Sequence, residues 1–271
     1  MKRLSEAEQE RYQHDGVLFP LRMLQTEEAA EALARLERIE GARAGRLPPS
    51  LNAKPHLLIP WAWDIVHDPR ILDAVEDLLG PDILCWATSF IVKNARDGRY
   101  VAWHQDATYW GLSSSTAVTV WIALTPSTKE NGCVRFLPGT HLATRPHVDT
   151  KDPNNLLGRR ESVVETIDDA KALDAELAPG EASLHDALIL HGSNANQTDG
   201  RRVGFSVRYI PASVRHAGPG RNSATLVRGK SHGGFDLEQR PEAEFHPAAM
   251  ARHRQVFRQA MSTIFEGGEK R

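Results

Sequence analysis

Two short segments carry side chains whose types and spacing could bind a metal ion. His104 and Asp106 are separated by one residue, and His191 follows 85 residues after Asp106. In an extended strand, residues two apart project from the same face, so this imidazole and carboxylate converge on one point. Two histidines and one carboxylate form the facial triad that binds non-haem Fe(II) and leaves coordination positions open. The pattern therefore predicts a metal site made of His104, Asp106 and His191.

An arginine follows the second histidine at a spacing that suits the same site. Arg202 lies eleven residues after His191, at the start of a predicted strand. A guanidinium near the metal could grip a distal carboxylate through two parallel hydrogen bonds. Arg201 competes for this role, and the strand alternation favours Arg202. An H-x-D pair alone is often only an exposed surface pair, whereas its combination with a strand-end histidine and this arginine is specific.

A further histidine, His185, belongs to the same predicted strand as His191. Six residues at about 3.3 Å each would separate the two by about 20 Å. We therefore interpret His185 as a structural histidine rather than as a ligand.

The elements that position these residues are strands after residue 82 and helices before it. Alternation and turn residues predict strands at 83–93, 116–124, 132–138, 181–191 and 202–210. Helical spacing predicts a capped helix that ends near Gly16, a second from Thr26 and a third over 69–79. Residues 142–178 are polar and predict an insertion that covers one end of a barrel or sandwich.

The composition excludes several classes of protein. The chain has 271 residues, 33 Lys and Arg against 35 Asp and Glu, a net charge of −2 and two cysteines. No basic field attracts nucleic acid or an anionic membrane. We see no apolar run near the ~20 residues of a membrane span, no signal peptide and no disulfide framework. These features predict a soluble, cytoplasmic protein of one domain.

Several longer motifs resemble one known family. They are the opening LSEAEQERYQHDGVLF, the WHQD segment, VWIALTPSTKENGCVRFLPGTH at 120–141, HGSNANQT and RRVGFSVRYI. Together they resemble the phytanoyl-CoA dioxygenase (PhyH) family of Fe(II)- and 2-oxoglutarate-dependent oxygenases, which includes ectoine hydroxylase. The form HQDATYWGL looks like a bacterial branch of the family.

The resemblance implies a fold that is mainly β with flanking helices around a double-stranded β-helix, the jelly-roll or cupin-like core. The pattern along the chain predicts a single domain over 1–271, with a helical part at 1–80, a core at about 82–212 and, from helical spacing, a C-terminal helix at about 247–265. The resemblance implies that this is a dioxygenase domain.

The resemblance also implies roles for individual residues. His104, Asp106 and His191 match the iron ligands, and Arg202 matches the arginine that holds the distal carboxylate of 2-oxoglutarate. Three further positions match the surroundings of that co-substrate. They are Ser193, Trp121, which would wall the pocket, and Lys93, which would supply a polar group.

The implied reaction is hydroxylation of an aliphatic C–H of a small molecule, with 2-oxoglutarate and O2 consumed and succinate and CO2 released. Asp106 favours hydroxylation, because related halogenases lack this carboxylate. The same cofactors could instead support epimerisation, desaturation or cyclisation. A non-oxygenase barrel, such as a zinc hydrolase, is a further alternative, but a hydrolase has no need of Arg202.

Candidates for substrate binding lie outside the motifs. Lys54 and His56 precede the core, Arg208 shares the face of Arg202, and Arg215 follows the last clear strand. Most of these are basic, which suits an acidic or carboxylate-bearing substrate. No nucleic acid or membrane partner is expected.

Overall fold

The computed structural model of the chain describes residues 2–218 and 221–266, without the side chains of Tyr109 and 259–266. Its helices are α1 (Glu6–Asp15), α2 (Thr26–Gly41), α3 (Pro60–Val66), α4 (Pro69–Leu79) and α5 (Pro247–Glu266). Its strands are β1 (Val17–Arg22), β2 (Ile83–Lys93), β3 (Val101–His104), β4 (Val118–Ala123), β5 (Val134–Leu137), β6 (His147–Asp149), β7 (Glu161–Val163), β8 (Leu173–Ala175), β9 (Glu181–Asp186), β10 (Leu190–Ser193), β11 (Arg202–Pro211), β12 (Ser223–Arg228) and β13 (Asp236–Leu237).

Two sheets form the centre of the molecule. The larger has the order β1-β9-β4-β11-β2-β12-β13, and the smaller has the order β3-β10-β5-β8. All of these pairings are antiparallel except that of β12 with β13. One buried apolar cluster contains Val17 and Trp121 of the larger sheet together with Val134 and Phe136 of the smaller one, so the sheets pack face to face. The predicted jelly-roll core with flanking helices is confirmed.

Strand β11 shows how the sequence separates the two faces of the larger sheet. Its apolar residues Val203, Phe205 and Val207 belong to the main buried cluster, which also contains residues of α1 to α4. Alternate residues of a strand point to opposite faces. The intervening residues, among them Arg202 and Arg208, therefore face the space between the sheets. The helices cover the apolar face, and the polar face is left for the site.

The N-terminal part and the ends of the core differ from the prediction. β1 lies within the part predicted as helical, and it pairs with β9 at the edge of the larger sheet. β12 and β13 extend that sheet beyond residue 212. α3 begins with a proline at its first turn and was not predicted, because seven residues give too little periodicity. The C-terminal helix lies where it was predicted.

The segment predicted as one strand at 181–191 is two strands. β9 ends at Asp186, whose carboxylate accepts a hydrogen bond from the Leu188 amide at 2.7 Å, and its carbonyl accepts one from Ile189 at 3.2 Å. These bonds form a tight turn of the kind that Asp favours. The chain therefore crosses from the larger sheet to the smaller one, and the single-strand prediction was wrong.

Over the described ranges, no helix has both the length and the apolar character that crossing a membrane requires.

Candidate metal centre and adjoining cavity

The pairing of β3 with β10 brings the two predicted histidine ligands together. His191 is the direct partner of His104 in this antiparallel pair, and their ring centroids lie 4.1 Å apart. Asp106 follows β3 at the start of a 3-10 turn over Asp106–Tyr109. One ligand atom from each of the three residues lies within 4.8 Å of the others. The fold thus assembles the three residues that the sequence pattern singled out.

Hydrogen bonds to backbone carbonyls fix the tautomer of both histidines. Nδ1 of His104 lies 2.9 Å from the Ala102 carbonyl, and Nδ1 of His191 lies 3.0 Å from the Ile189 carbonyl. Because a carbonyl only accepts, each Nδ1 must carry the proton, which leaves the lone pair on Nε2. Burial, followed by the effect of His104, lowers the pKa of His191 to about 4. The imidazole of His191 is therefore neutral near pH 7, as a metal ligand must be.

The carboxylate of Asp106 is held ionised between three cationic or polar groups. Burial alone would raise its pKa, but Arg208, His104 and His191 outweigh burial and hold the pKa well below its usual range. One carboxylate oxygen lies 3.6 Å from Nε2 of His104, and the other lies 3.6 Å from Nε of Arg208. Two imidazole nitrogens and one ionised carboxylate are the donor set that suits Fe(II) with open positions, so the residues fit this metal.

Two buried cations lie beside each other at the end of the larger sheet. Arg202, the first residue of β11, pairs with Lys93, the last residue of β2, and both side chains are buried. Lys93 donates to the Ser193 hydroxyl at 2.6 Å and to the Asn194 carbonyl. The Arg202 guanidinium lies 5.2 Å from the centroid of the Trp121 ring. The four residues predicted for the co-substrate, Arg202, Lys93, Ser193 and Trp121, are therefore close together.

Among the described residues, neither Lys93 nor Arg202 forms an ion pair with a carboxylate, and the charge of Asp97 offsets the effect of burial on Lys93 only in part. Arg202 donates to the Gly132 carbonyl, and its Nε is buried without a hydrogen-bond partner among the described residues. Burial, followed by the repulsion of Arg202, lowers the pKa of Lys93 to about 6. Burial also lowers the pKa of Arg202 to about 10. Buried charges are normally paired, so this arrangement indicates a site for an anionic ligand.

Arg201, which the sequence offered as the alternative to Arg202, is instead paired with Glu40 at 2.8 Å.

A cavity of about 430 Å³ opens onto the candidate metal centre. His104 and Asp106 form part of its wall, and so do the substrate candidates Lys54 and Arg208. Lys54 is already paired with Glu238 at 2.5 Å, and it donates to the Ser223 carbonyl.

The other two substrate candidates do not reach this cavity. His56 is buried between the hydroxyls of Thr88 and Thr225, at 2.7 and 3.1 Å. The guanidinium of Arg215 donates to backbone carbonyls of residues 212–214 and to the His232 carbonyl. Both side chains connect segments of the chain and do not face the site, which corrects the expectation from sequence.

The position of His185 also differs from the expectation. Its ring centroid lies 5.0 Å from that of His191 and 4.9 Å from that of Phe136. The expected separation of His185 from His191 was about 20 Å. The two rings are closer because the turn after Asp186 folds β10 back over β9. Both ring nitrogens are buried and have no hydrogen-bond partner in the described part of the chain. Burial is the main cause that lowers its pKa well below the usual value, so His185 is neutral.

Two wall residues of the cavity were missed by sequence reasoning. Trp86 is the extra residue of a bulge in β2, since Arg208 pairs with Ala87 and Tyr209 pairs with Cys85. A bulge turns a side chain away from the regular alternation, and nothing in the local sequence signals it. Glu161 lies in the polar segment 142–178. The prediction that this segment covers one end of the core was the sequence feature that could have indicated Glu161.

The chain was compared with known proteins. The family model of phytanoyl-CoA dioxygenase (PhyH) matches residues 12–204. The peroxisomal phytanoyl-CoA dioxygenase of Homo sapiens is 28% identical over 153 residues, which is 55% of this chain and 45% of that protein. The ectoine dioxygenase of Bordetella parapertussis is 28% identical over 153 residues, which is 51% of this chain and 50% of that protein. The chain spans about half the length of these curated relatives.

Solved structures cover more of the chain. The apo structure of the non-heme monooxygenase ThoJ has a TM-score of 0.86 and 39% identity, and the match covers 97% of this chain and 99% of that one. A structure of CytC3 with Fe(II) and alpha-ketoglutarate has a TM-score of 0.68 and 24% identity over 90% of this chain and 96% of that one, a level that shows the fold alone. The chain belongs to the phytanoyl-CoA dioxygenase family of Fe(II)- and 2-oxoglutarate-dependent oxygenases.

Proposed function

We propose that the chain is a dioxygenase that hydroxylates an aliphatic C–H of a small molecule and releases succinate and CO2. The observation that carries this proposal is that two groups of residues lie together in the interior of the protein. A His-Asp-His triad lies at the end of β3 and β10, and two buried basic side chains, Arg202 and Lys93, lie at the end of β2 and β11 with no ion pair to a carboxylate among the described residues. A hydrolytic metal centre would explain the triad but not the cations.

His104, Asp106 and His191 would hold Fe(II). With 2-oxoglutarate and O2, this metal supplies the oxidising power that no side chain has. The chain contributes orientation. The Nδ1 bonds to backbone carbonyls fix both imidazoles, and Arg208 holds the second oxygen of Asp106, so the donor atoms are in place before the metal binds.

Arg202 would bind the distal carboxylate of 2-oxoglutarate. Its buried position strengthens a charge-assisted hydrogen bond, because water does not compete for the guanidinium. Lys93 and Ser193 would add polar contacts, and Trp121 lies against the guanidinium and limits its movement. A Cβ at Gly204 would overlap the Trp121 ring, so a glycine there allows this close packing.

The triad predicts which histidine binds the metal. Under anaerobic conditions, Fe(II) and 2-oxoglutarate added to the metal-free protein should together produce a weak visible charge-transfer band. His191→Ala should abolish the band because the metal loses one of three ligands. His185→Leu is the matched control, and it should keep the band, since His185 contributes no ligand atom. A band that survives in His191→Ala and disappears in His185→Leu would contradict the ligand assignment.

The buried guanidinium predicts a strong effect on 2-oxoglutarate binding. Arg202→Ala should weaken binding to the anaerobic Fe(II)-loaded protein by about tenfold to a hundredfold, the range for a hydrogen bond to a charged group. Arg201→Ala removes the neighbouring arginine, which pairs with Glu40, and should leave the affinity within about twofold. Calorimetric titration measures both. Equal losses in the two variants would argue against a specific role for Arg202.

The lowered pKa of Lys93 predicts that 2-oxoglutarate binding takes up a proton. The amine is mostly neutral above pH 6 in the free protein, and a bound dianion favours the ammonium form and raises its pKa. Affinity should therefore fall as pH rises above about 6, by at most about tenfold per pH unit. Calorimetry in buffers of different ionisation enthalpy measures the uptake near pH 7.5. Lys93→Met should remove it, and uptake that persists in this variant would exclude Lys93 as its source.

The fate of oxygen separates hydroxylation from the alternatives. Epimerisation, desaturation and cyclisation use the same cofactors, but only hydroxylation places an oxygen atom in the product. Once a substrate is found by succinate release, turnover under labelled O2 should give a product that carries one labelled atom. A product without label, formed with an equal amount of succinate, would identify one of the other outcomes.

A further inference from the structure

Two of the cationic side chains on the cavity wall are paired with carboxylates of the protein. Lys54 is paired with Glu238 at 2.5 Å, and Arg208 lies 3.6 Å from the carboxylate of Asp106. Arg159, which also lines the cavity, has an interaction of its own within the chain. The cations that the sequence offered for an acidic substrate are thus already engaged.

Glu161 is the exception. It lines the same cavity, it is 9% exposed, and its Oε2 is buried with no hydrogen-bond partner among the described residues. Within that same part of the chain, the carboxylate has no ion pair with Lys, Arg or His. A buried carboxylate oxygen without a hydrogen-bond partner is unfavourable, so its presence on a cavity wall points to a ligand that completes it.

The backbone around Glu161 is firmly held although the side chain is not. Glu161 pairs with Asp149 across β6 and β7, and its carbonyl accepts a hydrogen bond from the Asn155 side chain at 3.0 Å. The next residue, Ser162, donates to the Trp103 carbonyl of β3, the strand that ends at His104. The carboxylate is therefore presented from an ordered strand next to the metal-binding strand.

Two tryptophans form an apolar wall of the cavity. The bulge in β2 turns Trp86 into it, where its ring lies 4.8 Å from that of Trp110, with 38° between the planes. Aromatic faces attract cations and also pack against apolar groups. The carboxylate of Glu161 therefore suits the charged nitrogen of a ligand, and the tryptophan rings suit the apolar part next to it.

We propose that the cavity binds a substrate that carries a protonated nitrogen next to an apolar or aromatic body. Glu161 accepts the N–H groups of this cation, and Trp86 and Trp110 pack against the body. The inference rests on the proposed function, because the same cavity exposes the candidate metal ligands. It replaces the expectation of an acidic substrate, which came from basic residues that the structure pairs or places elsewhere.

The test compares three probes of similar shape and different charge, namely phenethylammonium, phenethyl alcohol and phenylacetate. Tryptophan fluorescence of the full chain measures each affinity, with Fe(II) and 2-oxoglutarate under anaerobic conditions and again without them. The ammonium should bind about tenfold or more tightly than the alcohol, as expected for a hydrogen bond to a charged group, and phenylacetate should bind most weakly. Equal binding of ammonium and alcohol would overturn the proposal.

Substitutions assign the preference to Glu161. Glu161→Gln should reduce the preference for ammonium over alcohol to about twofold, whereas Glu161→Asp keeps the charge and should retain a preference of the same sign. Glu165→Gln is the matched control, because Glu165 is exposed on the same segment and faces Arg145 at 3.6 Å. Glu165→Gln should keep the same preference for ammonium over alcohol as the unmodified chain. A preference that survives Glu161→Gln would overturn the assignment.

Thermal unfolding without ligands provides a second readout. Replacing an unpartnered buried carboxylate by a neutral amide should leave the Tm unchanged or raise it, because the charge has no folded-state partner to lose. A Tm lowered in Glu161→Gln but not in Glu161→Asp would show that the charge is structural, which would overturn the proposal.

The two proposals can fail separately. An ammonium preference without a charge-transfer band would leave the binding inference standing and overturn the oxygenase. A charge-transfer band without an ammonium preference would leave the oxygenase standing and overturn the binding inference.

Discussion

The antiparallel pairing of β3 with β10 is the interaction on which the candidate centre depends. It sets His104 directly opposite His191, and the backbone carbonyls of Ala102 in β3 and of Ile189, just before β10, accept the Nδ1 protons. The register of a strand pair is sensitive to slips of one residue, which would move a side chain to the other face. The two candidate histidine ligands are thus positioned by main-chain hydrogen bonds and not by flexible loops. Asp106 lies beyond the strand, where Arg208 restrains it.

The larger sheet contributes the charges that the smaller sheet lacks. Burying Arg202 and Lys93 without an ion pair opposes folding, because the guanidinium loses hydration and the amine of Lys93 is driven toward its neutral form. The opposite face of the same strand compensates, because Val203, Phe205 and Val207 pack under the helices in the main buried cluster. One strand therefore stabilises the fold on one side and, on the other, presents Arg202 to the anion site that we propose.

Charge pairing separates groups that maintain the cavity from groups available to a ligand. The Lys54–Glu238 pair connects the segment before the core to the segment after β13, with His56 between the threonines of β2 and β12 beside it. Of these groups, Lys54 lines one side of the cavity, and its partners hold it there. Glu161 has no such partner in the described part of the chain, and this contrast is the basis for expecting a cationic substrate.

The sequence alone determined the candidate ligand types, the spacing from His191 to Arg202 and most of the strands, because alternation and short motifs are local properties of a chain. The tertiary structure decided what local patterns do not encode. The Asp186 turn moved His185 against His191, the bulge in β2 brought Trp86 to the cavity, and Lys54 acquired a partner 184 residues away. Whether a charged residue is neutralised or available depends on such distant partners, so the sequence suggested an acidic substrate and the structure favours a cationic one.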